Sequence, residues 1–407
     1  MQLGRSRFPR HDRARKRKSF PIFDISDRDR LLHTWIIGKT GQGKSSLLEN
    51  LWLQDVKAGH GCAFIEPHGQ ADRLLSLIPK RRRKDVVLFD PTDQDFSIGF
   101  NPLSNIPINR RPYVASTIVD CFKSIWGNSW GPQLEMFLYA GAAALLDFPT
   151  GTLLGLKFLM TSENYRTRVL SFVRDPAVRD FWKTDFAKHM PEKEQRERTL
   201  STLNKIGQFI TDPAIRNIIG QPKSKLSFRD LMDNKKILIV SLPHGELGQM
   251  KSSLIGALVI SSLHTAALTR KNPTPFFLYV DEFHNFGLGF EEMLSGIRKF
   301  GVGLILSHQY IVQLDEVSRT LAAAMKGTVG TIVSFQIGGD DADTLAKTFH
   351  IKAEELSSLE PYTAYVNRGA RTDLLKMEPP PEPKSEKFAQ ASIKKIRAQT
   401  RNSYCLP

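Results

Sequence analysis

Apolar positions along the chain follow two periods, and the change between them marks its organisation. From 31 to 104, short apolar runs alternate with stretches of helical spacing. Residues 31–37 read as a strand, 44–57 as a helix, 62–66 as a second strand, 71–78 as a helix and 86–90 as a third strand closed by Pro91. Strands alternating with helices predict a parallel sheet covered by helices. From about 110 to 235 the alternation stops. Segments 135–146 and 164–209 hold few glycines or prolines, and apolar residues recur at helical spacing: Val169, Leu170 and Val173, then Val178, Phe181 and Trp182. Strand-like runs return at 236–240, 276–280, 302–306 and 331–335. The predicted class is α/β: a mostly parallel sheet interrupted by an inserted all-helical domain.

The first strand-to-helix junction carries the clearest chemistry. Gly38-Lys39-Thr40-Gly41-Gln42-Gly43-Lys44-Ser45 fits G-x-x-x-x-G-K-[ST] at every fixed position. Trp35-Ile36-Ile37 precedes it as a buried strand, and Ser46-Leu47-Leu48 opens a helix. Glycines let successive backbone N–H groups turn toward one anion, and the helix N-terminus adds its dipole. Gly38, Lys39, Thr40, Gly41, Gln42, Gly43, Lys44, Ser45 and Ser46 are therefore candidate ATP-binding residues, with Lys44 reaching the β- and γ-phosphates and Ser45 on Mg2+.

The run 276–280 is apolar throughout, as a strand buried on both faces requires, and delivers Asp281 and Glu282. In a phosphate-binding-loop ATPase the first carboxylate holds Mg2+ beside Ser45, and the second orients and deprotonates the attacking water. The next strand ends in Ser307-His308-Gln309. Gln309 either contacts the γ-phosphate or its water, or is a loop amide away from nucleotide; His308 reads as structural. Arg298, with Lys299, ends the helix after Asp281-Glu282. It is either a cation favoured by the helix dipole or an arginine finger for a neighbouring subunit's nucleotide.

Charge extends the picture to partners. The chain of 407 residues carries a formal net charge of +15, which favours a polyanion, most often nucleic acid. Residues 1–20 hold Arg5, Arg7, Arg10, Arg13, Arg15, Lys16, Arg17 and Lys18 against Asp12. This aperiodic stretch reads as a mobile arm that either grips phosphates or is a solvated tail. Cys62, Cys121 and Cys405 make neither a C-x-x-C metal pair nor a disulfide framework, and suit a reducing interior. No signal peptide is expected. The longest apolar run, near Leu254-Ile255-Gly256-Ala257-Leu258-Val259-Ile260, is too short and interrupted to span a bilayer. The expected location is the cytoplasm, with recruitment to the inner membrane through a partner.

Several further segments, taken with these, carry a resemblance. Phe64-Ile65-Glu66-Pro67-His68-Gly69, Leu88-Phe89-Asp90-Pro91, Gly99-Phe100-Asn101-Pro102-Leu103, Ser129-Trp130-Gly131-Pro132, Tyr279-Val280-Asp281-Glu282-Phe283 and Leu304-Ile305-Leu306-Ser307-His308-Gln309 occur in one order. In that order they resemble the conjugative-transfer ATPases related to type IV secretion coupling proteins, in the FtsK–HerA class of DNA motors. The likeness covers roughly residues 25–370. Relatives often carry Asp where this chain has Glu66, and again at Gln70. The transmembrane pair of anchored coupling proteins is not found at the N-terminus. The resemblance implies a RecA-like motor domain with a helical insertion, hexameric rings that hydrolyse ATP between subunits, DNA moved through the centre, and secretion-channel or relaxosome-type partners. Arg298 falls where the family often places a trans-acting arginine.

The expected layout is a basic arm at 1–24, a motor domain from 25–109 and 236–376, a helical domain at 110–235, and a proline-rich, basic tail at 377–407. The function expected is an ATP-hydrolysing DNA translocase. Two rival readings remain: a secretion or assembly ATPase that does not grip DNA, and a nucleotide-gated scaffold.

Overall fold

A computed structural model of the chain describes every residue except 7–9, 13–16, 20–21, 94, 288, 319 and 406–407. It divides into two compact units. The first comprises residues 1–89, 228–243 and 266–400; the second comprises 90–227, 244–265 and 401–407.

The first unit is built on an eleven-stranded sheet. In chain order its strands are β1 (Gln2–Ser6), β2 (Ile22–Asp24), β3 (Thr34–Ile37), β4 (Gly61–Glu66), β5 (Val86–Phe89), β6 (Ile237–Ser241), β7 (Phe276–Val280), β8 (Val302–His308), β9 (Thr331–Ser334), β10 (Thr363–Arg368) and β11 (Arg371–Lys376). Their spatial order is β2-β1-β11-β10-β9-β3-β8-β7-β4-β6-β5. The seven strands from β9 to β5 are parallel, and the four beyond β9 are antiparallel. The seven parallel strands are those the apolar runs predict; each is wholly buried, so no polar alternation is needed.

Helix Lys44–Ala58 lays Leu47, Leu48, Leu51, Trp52 and Val56 into one core with Ile36, Phe64 and Tyr279. A polar network is buried nearby. Both terminal nitrogens of the Arg30 guanidinium donate to Asp55, at 2.8 and 2.5 Å, and the Tyr279 hydroxyl donates to the same carboxylate at 2.5 Å. The guanidinium also lies 3.4 Å from the centre of the Phe277 ring. Arg30 and Asp55 are 2% and 1% exposed, and without Asp55 the buried Arg30 charge keeps only the half-exposed Asp27, at 3.1 Å, as an acidic partner. Asp55→Ala is expected to destabilise the fold by about 3–5 kcal/mol. A shift of the urea midpoint checks this; an unchanged midpoint would mean that Arg30 finds other partners.

Two terminal segments depart from expectation. Gln2–Ser6, read as part of a free arm, is the strand next to the sheet edge, pairing β11 on one side and the edge strand β2 on the other. Only Arg10–Asp12 and Arg17–Ser19, a short antiparallel pair, are described between them; Arg7, Arg13, Arg15 and Lys16 lie outside the described residues. The tail, read as basic with one short helical stretch, carries a longer helix of nineteen residues, Glu386–Tyr404. It is tied to the sheet unit by the Ser392 hydroxyl donating to the Leu75 carbonyl at 2.7 Å and by Leu88 N donating to Thr400 at 3.2 Å.

The second unit is helical. Trp182 is packed among Phe137, Phe181 and Phe186, with ring centres 5.1–6.1 Å apart, and its indole donates to the Ala140 carbonyl at 3.1 Å. Residues 90–109, expected with the sheet, fall here. Asn101 donates to the carbonyls of Gly151 and Pro222 at 2.8 and 3.1 Å, and Phe100 N donates to Ile218 O at 3.3 Å. The unit also takes helix Gln249–Ala267 as far as Thr265. Its apolar run 254–260 is buried.

Candidate active site

Register brings the candidate residues to one end of the sheet. Val280 of β7 lies level with Leu306 of β8, and His308 with Ile37 of β3. The residues that follow these positions leave the parallel strands together: the glycine loop after β3, Asp281 and Glu282 after β7, and Gln309 after β8. Ligands bind beyond the carboxyl ends of such strands.

The loop 38–45 curls as its glycines allow. Gly41 and Gly43 take φ of +80° and +111°, and a Cβ on Gly43 would sit 2.9 Å from the Tyr362 ring. Gly38 is buried at the strand end; Lys39 is anchored by its N–H to Gln336 O at 2.8 Å, and Gln42 O accepts from Tyr362 N at 2.9 Å. Lys44 opens the helix with Ser45 and Ser46 on its first turn. The Lys44 ammonium donates to Lys39 O at 3.2 Å and is 5% exposed. Burial lowers its pKa, while Glu282 and Asp281 push it back up.

The Ser45 hydroxyl donates to Asp281 Oδ2 at 2.8 Å, the juxtaposition expected of a shared divalent-cation site. Asp281 Oδ1 accepts from the Ser307 hydroxyl and, at 3.1 Å, from Glu282 N. Glu282 is 6% exposed and held at φ +46°, ψ +50°, a conformation that costs a non-glycine residue about 1–3 kcal/mol. Its Oε1 accepts from Gln309 Nε2 at 3.0 Å; its Oε2 is buried with no hydrogen bond. Burial, then the Asp281 charge, raises the Glu282 pKa, against the Gln309 bond and Lys44. Gln309 reaches the loop as well, for its Oε1 accepts from the Thr40 hydroxyl at 3.1 Å. A strained, desolvated carboxylate beside a buried lysine can take a proton from a water placed over the loop.

No protein-family model matches the sequence. Over 458 aligned positions the chain is 21% identical to the type 4 coupling protein DotL of Legionella pneumophila, covering 92% of this chain and 58% of that protein. The chain thus spans little more than half the length of that relative. The plasmid coupling protein TrwB in complex with ADP and Mg2+ superposes with a TM-score of 0.66 at 17% identity, over 89% of each chain. VirB4 of Thermoanaerobacter pseudethanolicus superposes with a TM-score of 0.62 at 15% identity, over 94% of this chain and 96% of that one. The fold is that of the conjugative coupling proteins. The sheet unit is accordingly a RecA-like P-loop core.

Within this coupling-protein fold the structure gathers Lys44, Ser45, Asp281, Glu282 and Gln309, and leaves Arg298 apart. Arg298 is exposed on the turn Ile297–Phe300, ahead of β8. Seven residues of β8, roughly 20 Å, separate that turn from Gln309. Its charge is felt instead by His33, before β3, whose pKa falls to about 4, first through burial. His308 is structural, as the sequence suggests. It is fully buried, stacks on Trp35, accepts from the Trp35 indole at 2.6 Å and contacts Tyr310 O through Nδ1 at 3.0 Å. Burial lowers its pKa to about 3.

The sequence did not single out Ser307, Thr40's bond to Gln309, or the Glu66 brace. Ser307 and Gln309 are two apart at a strand end, and period two could have paired them. Glu66 accepts from the N–H groups of His68 and Gln70 at 2.7 and 2.9 Å and from the Ser241 hydroxyl at 2.5 Å, so it fixes the loop after β4.

Among the described residues no helix is long and apolar enough to cross a membrane. Cys62, Cys121 and Cys405 are free and buried.

Proposed function

We propose that this chain is an ATP-hydrolysing DNA translocase, a coupling-protein-like motor for DNA transfer. The observation that carries the reading is the convergence of Lys44, the Ser45–Asp281 pair and the Glu282–Gln309 pair on the carboxyl ends of adjacent parallel strands. Loop 38–45 would hold the phosphates of ATP. Ser45 and Asp281 would hold Mg2+, which neutralises charge developing on the β- and γ-phosphates when bound. Glu282 would take the proton of the attacking water while Gln309, braced by Thr40, orients it. The net charge of +15 supports DNA as the polymer moved.

ATP turnover with and without DNA tests the reading. Stimulation by DNA supports the motor. Turnover indifferent to DNA supports a secretion or assembly ATPase, and DNA binding without turnover supports a scaffold.

The reading includes a homo-hexameric ring and a trans role for Arg298. Its exposure at the far end of β8 removes it from its own subunit's site and leaves it available to a neighbour. Arg298→Ala subunits are expected to bind nucleotide almost normally and to lose hydrolysis by about 10³-fold or more. Mixing them with Glu282→Gln subunits should restore partial activity, because some interfaces regain both groups. A mixture as inactive as either parent, with mixed rings demonstrably formed, would remove the trans role. Full activity of Arg298→Ala would leave a helix-end cation.

A further inference from the structure

Behind Glu282 and Gln309 lies a second pair of polar side chains, His284 and Gln313, with no role in the proposed proton transfer itself. Gln313, 6% exposed, sits on the helix Val312–Val317 that follows β8. Its Oε1 accepts from the backbone N–H groups of Gln309 and Tyr310 at 2.9 and 3.1 Å. Two N–H donors can meet only an amide oxygen, so the orientation of this amide is fixed by chemistry. Its Nε2, a donor only, lies 3.0 Å from His284 Nε2. That ring nitrogen must therefore accept, which leaves the imidazole proton on Nδ1. His284 Nδ1 faces Glu282 Oε2 at 3.6 Å, an approach just beyond hydrogen-bond length to the carboxylate oxygen that makes no hydrogen bond.

We propose that His284 and Gln313 are positioning residues for hydrolysis, closing a circuit that holds Glu282 and Gln309 at one fixed separation. The circuit runs from Gln309 Nε2 to Glu282 Oε1, across the carboxylate to Oε2, to His284 Nδ1–H, from His284 Nε2 to Gln313, and back to Gln309 N. Every link but the His284–Glu282 approach is a hydrogen bond. Gln313 sets the imidazole tautomer, the imidazole Nδ1–H approaches Oε2 at 3.6 Å and favours one plane of the carboxylate through its dipole, and the carboxylate sets the amide of Gln309. The left-handed backbone at Glu282 gives this carboxylate a costly starting conformation, which such a clamp retains. The inference rests on the ATPase reading for its consequence, but the circuit itself is a property of the resting protein.

Two measurements on the full chain separate them. Nitrogen-15 spectra of histidine-labelled protein, with His284 assigned by its loss in His284→Leu, should show the neutral Nδ1–H tautomer. Gln313→Glu keeps an oxygen for the two backbone N–H groups but offers His284 Nε2 only an acceptor, so the proton should move to Nε2. An Nε2–H imidazole in the unsubstituted protein would overturn the proposal whether or not ATP is turned over. In steady-state assays with MgATP, His284→Leu and Gln313→Glu should lower kcat about ten- to a hundredfold with KM nearly unchanged, since a small misplacement of a reacting group costs this much. His284→Asn, whose amide nitrogen can replace Nδ1–H, should recover most of that loss. Unchanged kcat in His284→Leu, or equal losses in the leucine and asparagine variants, would overturn the positioning role. Absence of turnover in the unsubstituted protein would overturn the ATPase reading, and the tautomer would still decide the circuit.

Discussion

Lys44→Ala is expected to abolish ATP turnover, by at least about a hundredfold, the loss typical of removing one preorganised charge-stabilising donor. Lys44 is the one ammonium at the first turn of the helix after the glycine loop, and it is buried, so its charge acts through a poorly screened medium. In the resting structure it is held by the Lys39 carbonyl, a weak neutral partner that phosphate oxygens can replace. Alanine leaves the loop backbone and the Ser45–Asp281 pair in place. Affinity for an ATP analogue should therefore fall less than kcat does. Turnover within a few fold of the unsubstituted protein would mean that the phosphates lie elsewhere.

Glu282→Gln is expected to bind ATP and to hydrolyse it about 10²- to 10⁴-fold more slowly, the range that a general base supplies. The glutamine oxygen can still accept from Gln309 Nε2, so the geometry of the pair survives while the proton acceptor does not. ATP-bound protein should accumulate and persist in filter-binding or single-turnover measurements. Asp281 is no substitute base, because its two oxygens already accept from Ser45, Ser307 and Glu282 N. Turnover equal to that of the unsubstituted protein would reassign the base.

These two variants act at different points of the same site. In the proposed reaction Lys44 acts on the bound phosphates and Glu282 on the water. A double variant should be no more impaired in turnover than Lys44→Ala alone, because residues acting as a unit are not additive.

The parts of this molecule legible in its sequence are those fixed by neighbours along the chain. The glycine loop is a local structure: φ of +80° and +111° at Gly41 and Gly43 needs only glycine at those positions, and the helix that follows needs only its own residues. Buried parallel strands are legible because both faces are covered, which makes β7 and the 302–306 run of β8 continuously apolar. Their order across the sheet is not written in any run. Nor is the pairing of Gln2–Ser6 with β11, where Arg5 meets Lys376 across the length of the chain. A short basic segment has no apolar pattern to announce it as a strand, and only the waiting edge of β11 makes it one. The hairpin β10–β11 was missed for a related reason, since β11 is mostly half-exposed and reads as polar chain.

The sequence alone determined the glycine loop, the place of the two carboxylates and the glutamine at strand ends, and the class of fold, because each depends on residue type and short-range period. Only the tertiary structure decided which of them meet. Register between β7, β8 and β3 set Asp281 against Ser45 and Glu282 against Gln309, and the length of β8 put Arg298 at the other end of the sheet. Contacts between residues hundreds of positions apart are chosen by burial and strand pairing over the whole core, and no local stretch of chain encodes that choice.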